Sequence, residues 1–548
     1  MSDDTTTITV FDAVRALAFI GDLSMGQPTD HSLRTAWLAG KIAAEAGCDA
    51  RQIEAVRHVA LLRWSGCTAN AQEFADFLED DVQGRRAMLA SPAPRVRQPP
   101  IGGPVPDAVL AMADIHCEIA GDIANMLGLS RETEAALRTV FEAYDGSGIP
   151  GVLQGDEVPL ATYVVALASD LEIFGRLYGV DEALTLARGR ADSLYPAFLV
   201  DASAPHAAAW MKELDAPVAP WTAPTEQPAS MLQHMGLELV GDVIDLKLPW
   251  MTGYSRSVAR LARDCAVQLG LDEVACHRTY KAGLIHGIGR AAVPNAIWNA
   301  PEPLPASSLE RVRLAPYWTS RAAGQIDGLA AEAEIASFAF ERRDGSGYFR
   351  GRSGSAMPLE GQIVAAAQHW QSHRTRRPWR DEFTQTQALD RLQEDAAAGR
   401  FDTEVVTALL ACVMPGTSPK PAVQAQGDAS LSQRELEVLR CISQGHNTKE
   451  VARVLGISPS TVRTHVERLF QKLGCTTRAA ATLKAATRGL DLAATAARSE
   501  RSVPSAASMR RRSSSLTTRT SALSSERLEQ TSSASFTRWG PMSLSRPA

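Results

Sequence analysis

The chain repeats itself, and that limits its fold more than any other property. His31-Ser32-Leu33-Arg34 through Gly47 aligns with Tyr254-Ser255-Arg256-Ser257 through Gly270 at an offset of 223. The same offset sets Leu61 to Gly66 on Leu284 to Gly289. Further on, Glu142-Ala143-Tyr144-Asp145-Gly146-Ser147-Gly148 aligns with Glu341-Arg342-Arg343-Asp344-Gly345-Ser346-Gly347 at an offset of 199, which Pro159-Leu160 and Pro358-Leu359 keep. Two constant offsets require one unit present twice, with 24 extra residues in the first copy. A Pro/Gly cluster from Pro92 to Pro106 marks a loop around 90–106 as their place.

Within each copy, apolar residues recur every three or four positions, as in Val258-Ala259-Leu261-Ala262-Cys265-Ala266, which predicts helices. Asp-Gly-Ser-Gly predicts a turn whose aspartate caps its own backbone. The copies should occupy 10–205 and 233–410. Linkers rich in Pro, Gly, Gln and Ser are expected at 206–232 and 411–428. Eight scattered cysteines form no C-x-x-C pair, so reduced structural thiols in a cytoplasm are expected. The acidic start, Met1-Ser2-Asp3-Asp4, does not resemble a signal peptide, and no apolar run has bilayer length, so no membrane partner is expected.

Net charge is −6, but its distribution is uneven. Residues 429–492 hold ten Lys/Arg against five Asp/Glu, and 493–548 hold nine against three, leaving the preceding body strongly acidic. A basic end on an acidic body points to a polyanionic partner. The tail, 493–548, has Arg510-Arg511-Arg512 and Ser513-Ser514-Ser515 and too few apolar residues for a core, so it is expected to be disordered.

Residues 429–492 predict four helices. Ser432 caps the first and Glu435 closes a capping box. Asn447 and Glu450 repeat that spacing for the second, with Val451, Ala452, Val454 and Leu455 as its core side. Ser458 caps the third, and Pro459 takes its first position. Val462, Val466, Leu469 and Phe470 should then face inward, and Arg463, Thr464, Glu467 and Arg468 outward. This is how a recognition helix presents its N-terminal half to a major groove. His465 is read as packing. A fourth helix should start near Thr477 and end at Gly489.

The string Leu431-Ser432, Arg434-Glu435, Thr448-Lys449-Glu450-Val451-Ala452, Leu455-Gly456-Ile457-Ser458, Thr461-Val462-Arg463-Thr464-His465-Val466 and Lys472-Leu473-Gly474 resembles the LuxR/FixJ-type DNA-binding domain. The resemblance implies a helix-turn-helix from Asn447 to Val466. In it Lys449, Ser460, Thr461 and Arg468 contact phosphates, Arg463 and Thr464 reach base edges, and the fourth helix dimerises. Glu467 departs from the pattern, since that position is often basic; it can accept from a cytosine amino group. Double-stranded DNA and a second copy of the chain are thus the expected partners.

The second copy, with Leu284-Ile285-His286-Gly287-Ile288-Gly289-Arg290, Val293-Pro294, Glu341-Arg342-Arg343-Asp344-Gly345-Ser346-Gly347-Tyr348 and Pro358-Leu359, resembles an HD-GYP domain over about 235–405. The first resembles it more weakly over about 10–205. Members of that family are helical metal phosphohydrolases that open cyclic diguanylate. The family's ligand positions fall on Tyr254, His286-Gly287, Ala315-Pro316, Ala339-Phe340 and Gln368 in copy two. In copy one they fall on His31, Arg63-Trp64, His116-Cys117, Val140-Phe141 and Ser169, with Asp170 one position late. His31, His116 and His286 are the remnants. Three or more ligands make a stable divalent site, so no metal, no cofactor, no catalytic residue and no enzymatic activity are expected.

The fold expected is mostly α: two tandem degenerate HD-GYP-like domains, a four-helix LuxR-type domain and a disordered tail. The function expected is sequence-specific transcriptional regulation, with the duplicated region as sensor or dimerisation module. The alternatives are a metal-dependent cyclic diguanylate phosphodiesterase and a sensor that binds a small-molecule ligand without cleaving it. His369 and His373, four apart on a helix, have metal-ligand spacing. With no third ligand nearby and Arg374, Arg376 and Arg377 following, they read as a solvated helix end.

Overall fold

The two offsets reappear as matched helix boundaries. In the computed structural model, which describes residues 7–92, 105–216, 230–301, 303–414 and 431–492, the offset of 223 pairs His31–Glu45 with Tyr254–Gln268 and Ala50–Leu62 with Glu273–Ile285. The offset of 199 starts Ala330–Ala336 where it predicts from Arg131–Arg138, and Leu359–His373 from Leu160–Tyr178. Local chemistry explains the shared starts. Asp49 and Asp272 cap equivalent helices, each accepting from the backbone N–H three residues on.

Long-range bonds repeat as well. Asp22 accepts from the Ser32 backbone N–H at 3.1 Å and hydroxyl at 2.6 Å; Asp245 accepts from the same groups of Ser255, both at 2.7 Å. The Asp-Gly-Ser-Gly turns form as predicted: Asp145 and Asp344 each accept from the N–H two residues on at 2.9 Å. The second glycine of each is sterically required. A Cβ on Gly148 or Gly347 would lie 2.4 Å from a backbone nitrogen, of Ala143 or Arg342.

The copies differ between Ser65 and His116, where the first has helices Ala71–Leu78 and Asp81–Ala90 and the second only Asn295–Trp298 and Ala306–Arg313. At the offset of 223 Asp81–Ala90 ends where Ala306–Arg313 ends, so the extra residues follow Ala90 and reach into the start of the helix Asp107–Met126. Residues 93–104 of the expected loop lie outside the described residues. So do 217–229, 415–430 and the whole tail, 493–548, on which the expectation of disorder falls. The linker expected at 206–232 begins with a helix, Ala207–Leu214, whose Trp210, Met211 and Leu214 are buried. Those apolar residues outweigh the prolines that follow.

Among the contacts that join the copies, which include Arg311 to Asp80 at 2.7 Å and Asn299 to Gln72 at 2.9 Å, two stand out. Strand β1 (Thr7–Thr9) pairs antiparallel with β2 (His234–Gly236), tying the start of one to the start of the other. The second joint is a fully buried ion pair, Lys247 Nζ to Asp81 Oδ2 at 2.9 Å. Asp81 also accepts from the Asn295 backbone N–H at 2.8 Å and lies 4.0 Å from Arg85. Among the described residues no helix is long and apolar enough to cross a membrane.

Removing one partner of a buried pair leaves a stranded charge, at a cost of about 3–5 kcal/mol. Asp81→Ala should therefore lower the urea midpoint of the full chain sharply. Asp81→Leu combined with Lys247→Met should recover most of the loss. Equal midpoints for Asp81→Ala and the parent chain would show that the pair does not hold the copies together.

Candidate nucleic-acid interface and repeat sites

The C-terminal helices form where their caps predict: Gln433–Ser443, Thr448–Leu455, Pro459–Leu473 and Arg478–Thr487. Both capping boxes are present, Ser432 with Glu435 and Asn447 with Glu450. Gly456, at φ 65°, makes the tight turn between the second and third helices. Val451, Ala452, Val462 and Leu469 are buried, and Lys472 Nζ reaches Glu435 at 2.7 Å. Val454 departs from expectation. It is 54% exposed, because the covered face runs through Val451, Ala452 and Leu455 and leaves Val454 at its edge.

Lys449, Ser460, Thr461, Arg463, Thr464, Glu467 and Arg468 all lie on the exposed side. Lys449, Arg463 and Arg468 make no ion pair among the described residues, so three cations stand free beside the third helix. Ser458 Oγ lies 2.7 Å from Ser460 Oγ and 2.8 Å from Thr461 Oγ1, a hydroxyl cluster on the N-terminal turn. Helix N-termini attract phosphate. The face combines free cations, hydroxyls and a helix N-terminus, the chemistry that holds a DNA backbone.

The fourth helix is packed against the body. The backbone N–H and hydroxyl of Thr476, just before it, donate to Glu118 at 2.6 and 3.0 Å. Lys484 Nζ lies 3.0 Å from Asp122, which also holds Arg138 at 2.8 Å. On the second copy, Thr252 Oγ1 donates to the Ser443 carbonyl at 2.7 Å. The domain therefore rests on both repeats. Sequence reasoning missed Glu118 and Asp122, since contacts spanning more than 350 residues leave no local signal.

The remnant histidines each found a new partner. His31 Nδ1 donates to Glu172 at 2.6 Å, and Glu172 also holds Arg34 and Arg176. Burial pushes the Glu172 carboxyl up, but these cations outweigh it and hold it at about 2. His116 Nε2–H donates to the Arg63 carbonyl at 2.8 Å. In copy two, Arg290 donates to His286 Nε2 at 2.6 Å, and His286 Nδ1–H donates to the Gly283 carbonyl at 2.6 Å. The same Arg290 lies 3.4 Å from Asp245 and over the Tyr254 ring at 4.9 Å. Arg63, in copy one, is buried over Trp64 at 4.5 Å.

A divalent centre of the HD type does not fit these residues. Arg63 occupies a ligand position, Arg290 blocks His286, and no three His, Cys, Asp or Glu side chains converge on a cation position among the described residues. The reading of His369 and His373 as a solvated helix end needs correction. His369 Nε2 meets Asp395 at 2.7 Å and His373 Nε2 at 3.3 Å. Arg342 donates to His369 Nδ1 at 3.1 Å, however, so Nε2 carries the proton and its lone pair is not free for a metal.

The comparisons with known proteins match this layout. Residues 238–405 match the HD domain family and residues 429–485 the bacterial regulatory proteins of the luxR family. The 3′3′-cGAMP-specific phosphodiesterase 3 of Vibrio cholerae serotype O1 is 24% identical over 71% of this chain and 91% of its own length. A crystal structure of a cyclic GMP-AMP phosphodiesterase of V. cholerae shares the fold, with TM-score 0.55 and 20% identity, over 75% of this chain and 99% of its own. A probable transcriptional regulatory protein NarL of Mycobacterium tuberculosis is 40% identical over 15% of this chain and 44% of its own length. The expectation that the chain is not an enzyme is corrected by these relatives. The proteins similar to its body are phosphodiesterases, and the missing ligands had been given too much weight against that frame.

Burial holds His116 and His286 neutral, both at about 3. A histidine with a folded-state pKa below the unfolded ~6.5 contributes stability above that pH and loses it as pH falls toward the folded value. The urea midpoint should therefore fall as pH drops from 6.5 toward 4, and less steeply for His116→Gln with His286→Gln. Parallel profiles for parent and variant would contradict the assignment. Residues 238–405 thus carry an HD domain and residues 429–485 a helix-turn-helix domain of the luxR family.

Proposed function

We propose that the chain is a sequence-specific transcriptional regulator whose duplicated body engages a 3′3′-cyclic dinucleotide and whose residues 429–492 bind DNA as a homodimer in the cytoplasm. The observation that carries this reading is the free cationic face of the third helix on a domain docked to a cyclic-dinucleotide phosphodiesterase frame. Units 10–205 and 233–410 form that frame. Lys449, Ser460, Thr461 and Arg468 hold phosphates, Arg463 and Thr464 read base edges, and Glu467 accepts from a cytosine amino group. Ligand uptake in the body acts on the docked fourth helix, whose apolar face must be free for a second copy to pair with it.

With an operator selected from genomic fragments, Arg463→Ala should cost about 1–3 kcal/mol and relax specificity at one position. Lys449→Ala should weaken all sequences alike and lower the salt slope by about 1. Unchanged operator affinity in both variants would remove the assigned surface. Calorimetry and a turnover assay with 3′3′-cGAMP and cyclic diguanylate on the same preparation test the body. Uptake that shifts operator affinity supports the coupling; no uptake of either nucleotide overturns it.

A further inference from the structure

Three elements of the first copy bring two sulfurs and an imidazole nitrogen together. Met25 follows the first helix (Val10–Ser24), Cys67 ends the 3-10 turn Ser65–Cys67, and His116 lies on the Asp107–Met126 helix. Cys67 Sγ is 3.3 Å from Met25 Sδ and 3.7 Å from His116 Nδ1. All three side chains are buried. Gly66 fixes the approach: a Cβ there would lie 2.4 Å from the His116 carbonyl oxygen, so no larger residue lets this turn meet this helix.

The imidazole is already in the tautomer a metal needs. The Arg63 carbonyl can only accept, so His116 Nε2 carries the proton and Nδ1 turns a lone pair toward Cys67. A carbonyl fixing the distal N–H of a histidine is the usual outer contact of a metal-bound imidazole. One thiol proton cannot satisfy both Met25 Sδ and His116 Nδ1, whereas a cation among the three donors engages all of them. With metal–S and metal–N bonds of about 2.3 and 2.0 Å, a trigonal ion sets sulfur and nitrogen about 3.7 Å apart, as found for Cys67 and His116. It sets two sulfurs about 4.0 Å apart, so the Met25 thioether swings outward from its 3.3 Å contact to admit the ion.

The surrounding charge selects the ion. Arg63, Arg85 and Lys247 all act on the Cys67 sulfur, against Asp81 alone. A divalent cation would add net positive charge to that surround. A monovalent one need not: Cys–SH + Cu⁺ gives Cys–S–Cu + H⁺, the proton leaves to solvent, and the site keeps its charge. Thiolate, thioether and imidazole together favour a soft ion. We propose that Met25, Cys67 and His116 form a binding site for a soft monovalent metal ion of the cuprous class. The site shares only His116 with the ligand positions described above for HD-type metals, since Met25 and Cys67 belong to none of them. It would also staple the helix that carries Glu118 and Asp122, the two carboxylates that hold the DNA-binding domain.

The test is anaerobic titration of the full-length chain with Cu(I) against a chromophoric cuprous chelator, followed by X-ray absorption at the copper edge. The parent chain should hold one ion more tightly than its remaining cysteines do, with two sulfurs and one nitrogen around it. Cys67→Ser should lose that ion, while Cys48→Ser, at a half-buried thiol elsewhere, keeps it. Met25→Leu preserves the packing and should weaken retention about 10-fold or more while the circular dichroism stays unchanged. Equal retention in the parent chain, Cys67→Ser and Met25→Leu, or a copper shell without nitrogen, would overturn the site.

Discussion

The buried pair of Asp81 and Lys247 is the constraint on which the rest of the arrangement depends. Two charges are withdrawn from water at the junction of the repeats, and Asp81 offsets that cost by gathering Lys247, Arg85 and the Asn295 N–H. Such a group tolerates few relative positions of its partners. The helix that supplies Asp81 pairs at the offset of 223 with Ala306–Arg313, but Leu304 stands at the place of the aspartate, so the clasp runs one way only. With the repeats held in register, Glu118 of one and Thr252 of the other can seat the C-terminal domain together.

Each repeat buries an arginine beside its remnant histidines, Arg63 in one and Arg290 in the other. Asp22 and Asp245 keep matched bonds to a serine, and burial raises both carboxyls to about 7. Arg290 reaches toward Asp245 and His286 together, and in the other copy Arg63 stands at the position that aligns with His286. A guanidinium is a fixed donor of hydrogen bonds and positive charge, suited to meeting a phosphodiester directly. This is consistent with cyclic-dinucleotide uptake in a frame whose relatives cleave such molecules.

Much of this was legible in the sequence where local rules decide. The offsets predicted paired helix starts to the residue, because an aspartate cap or a turn glycine acts on its own neighbourhood. Ser432, Asn447 and Ser458 announced the C-terminal helices for the same reason. What was illegible depended on packing between distant segments. Asp395 completing a cluster with His369, Asp122 meeting Lys484, and Cys67 meeting Met25 leave no periodic trace. Val454 was misjudged because helical spacing alone cannot say which edge of an apolar stripe is covered. The catalytic question was misjudged for another reason: counting lost ligands addresses a metal, whereas the relatives speak for the frame.

The central claim is that the body and the DNA-binding domain communicate through the docked fourth helix. Hydrogen exchange of residues 478–487 in the full chain, with and without saturating 3′3′-cGAMP, tests it most directly. The account predicts that this helix is protected in the free chain and exchanges faster when the nucleotide is bound. Unaltered protection of 478–487, with calorimetry showing the nucleotide in place, would contradict it.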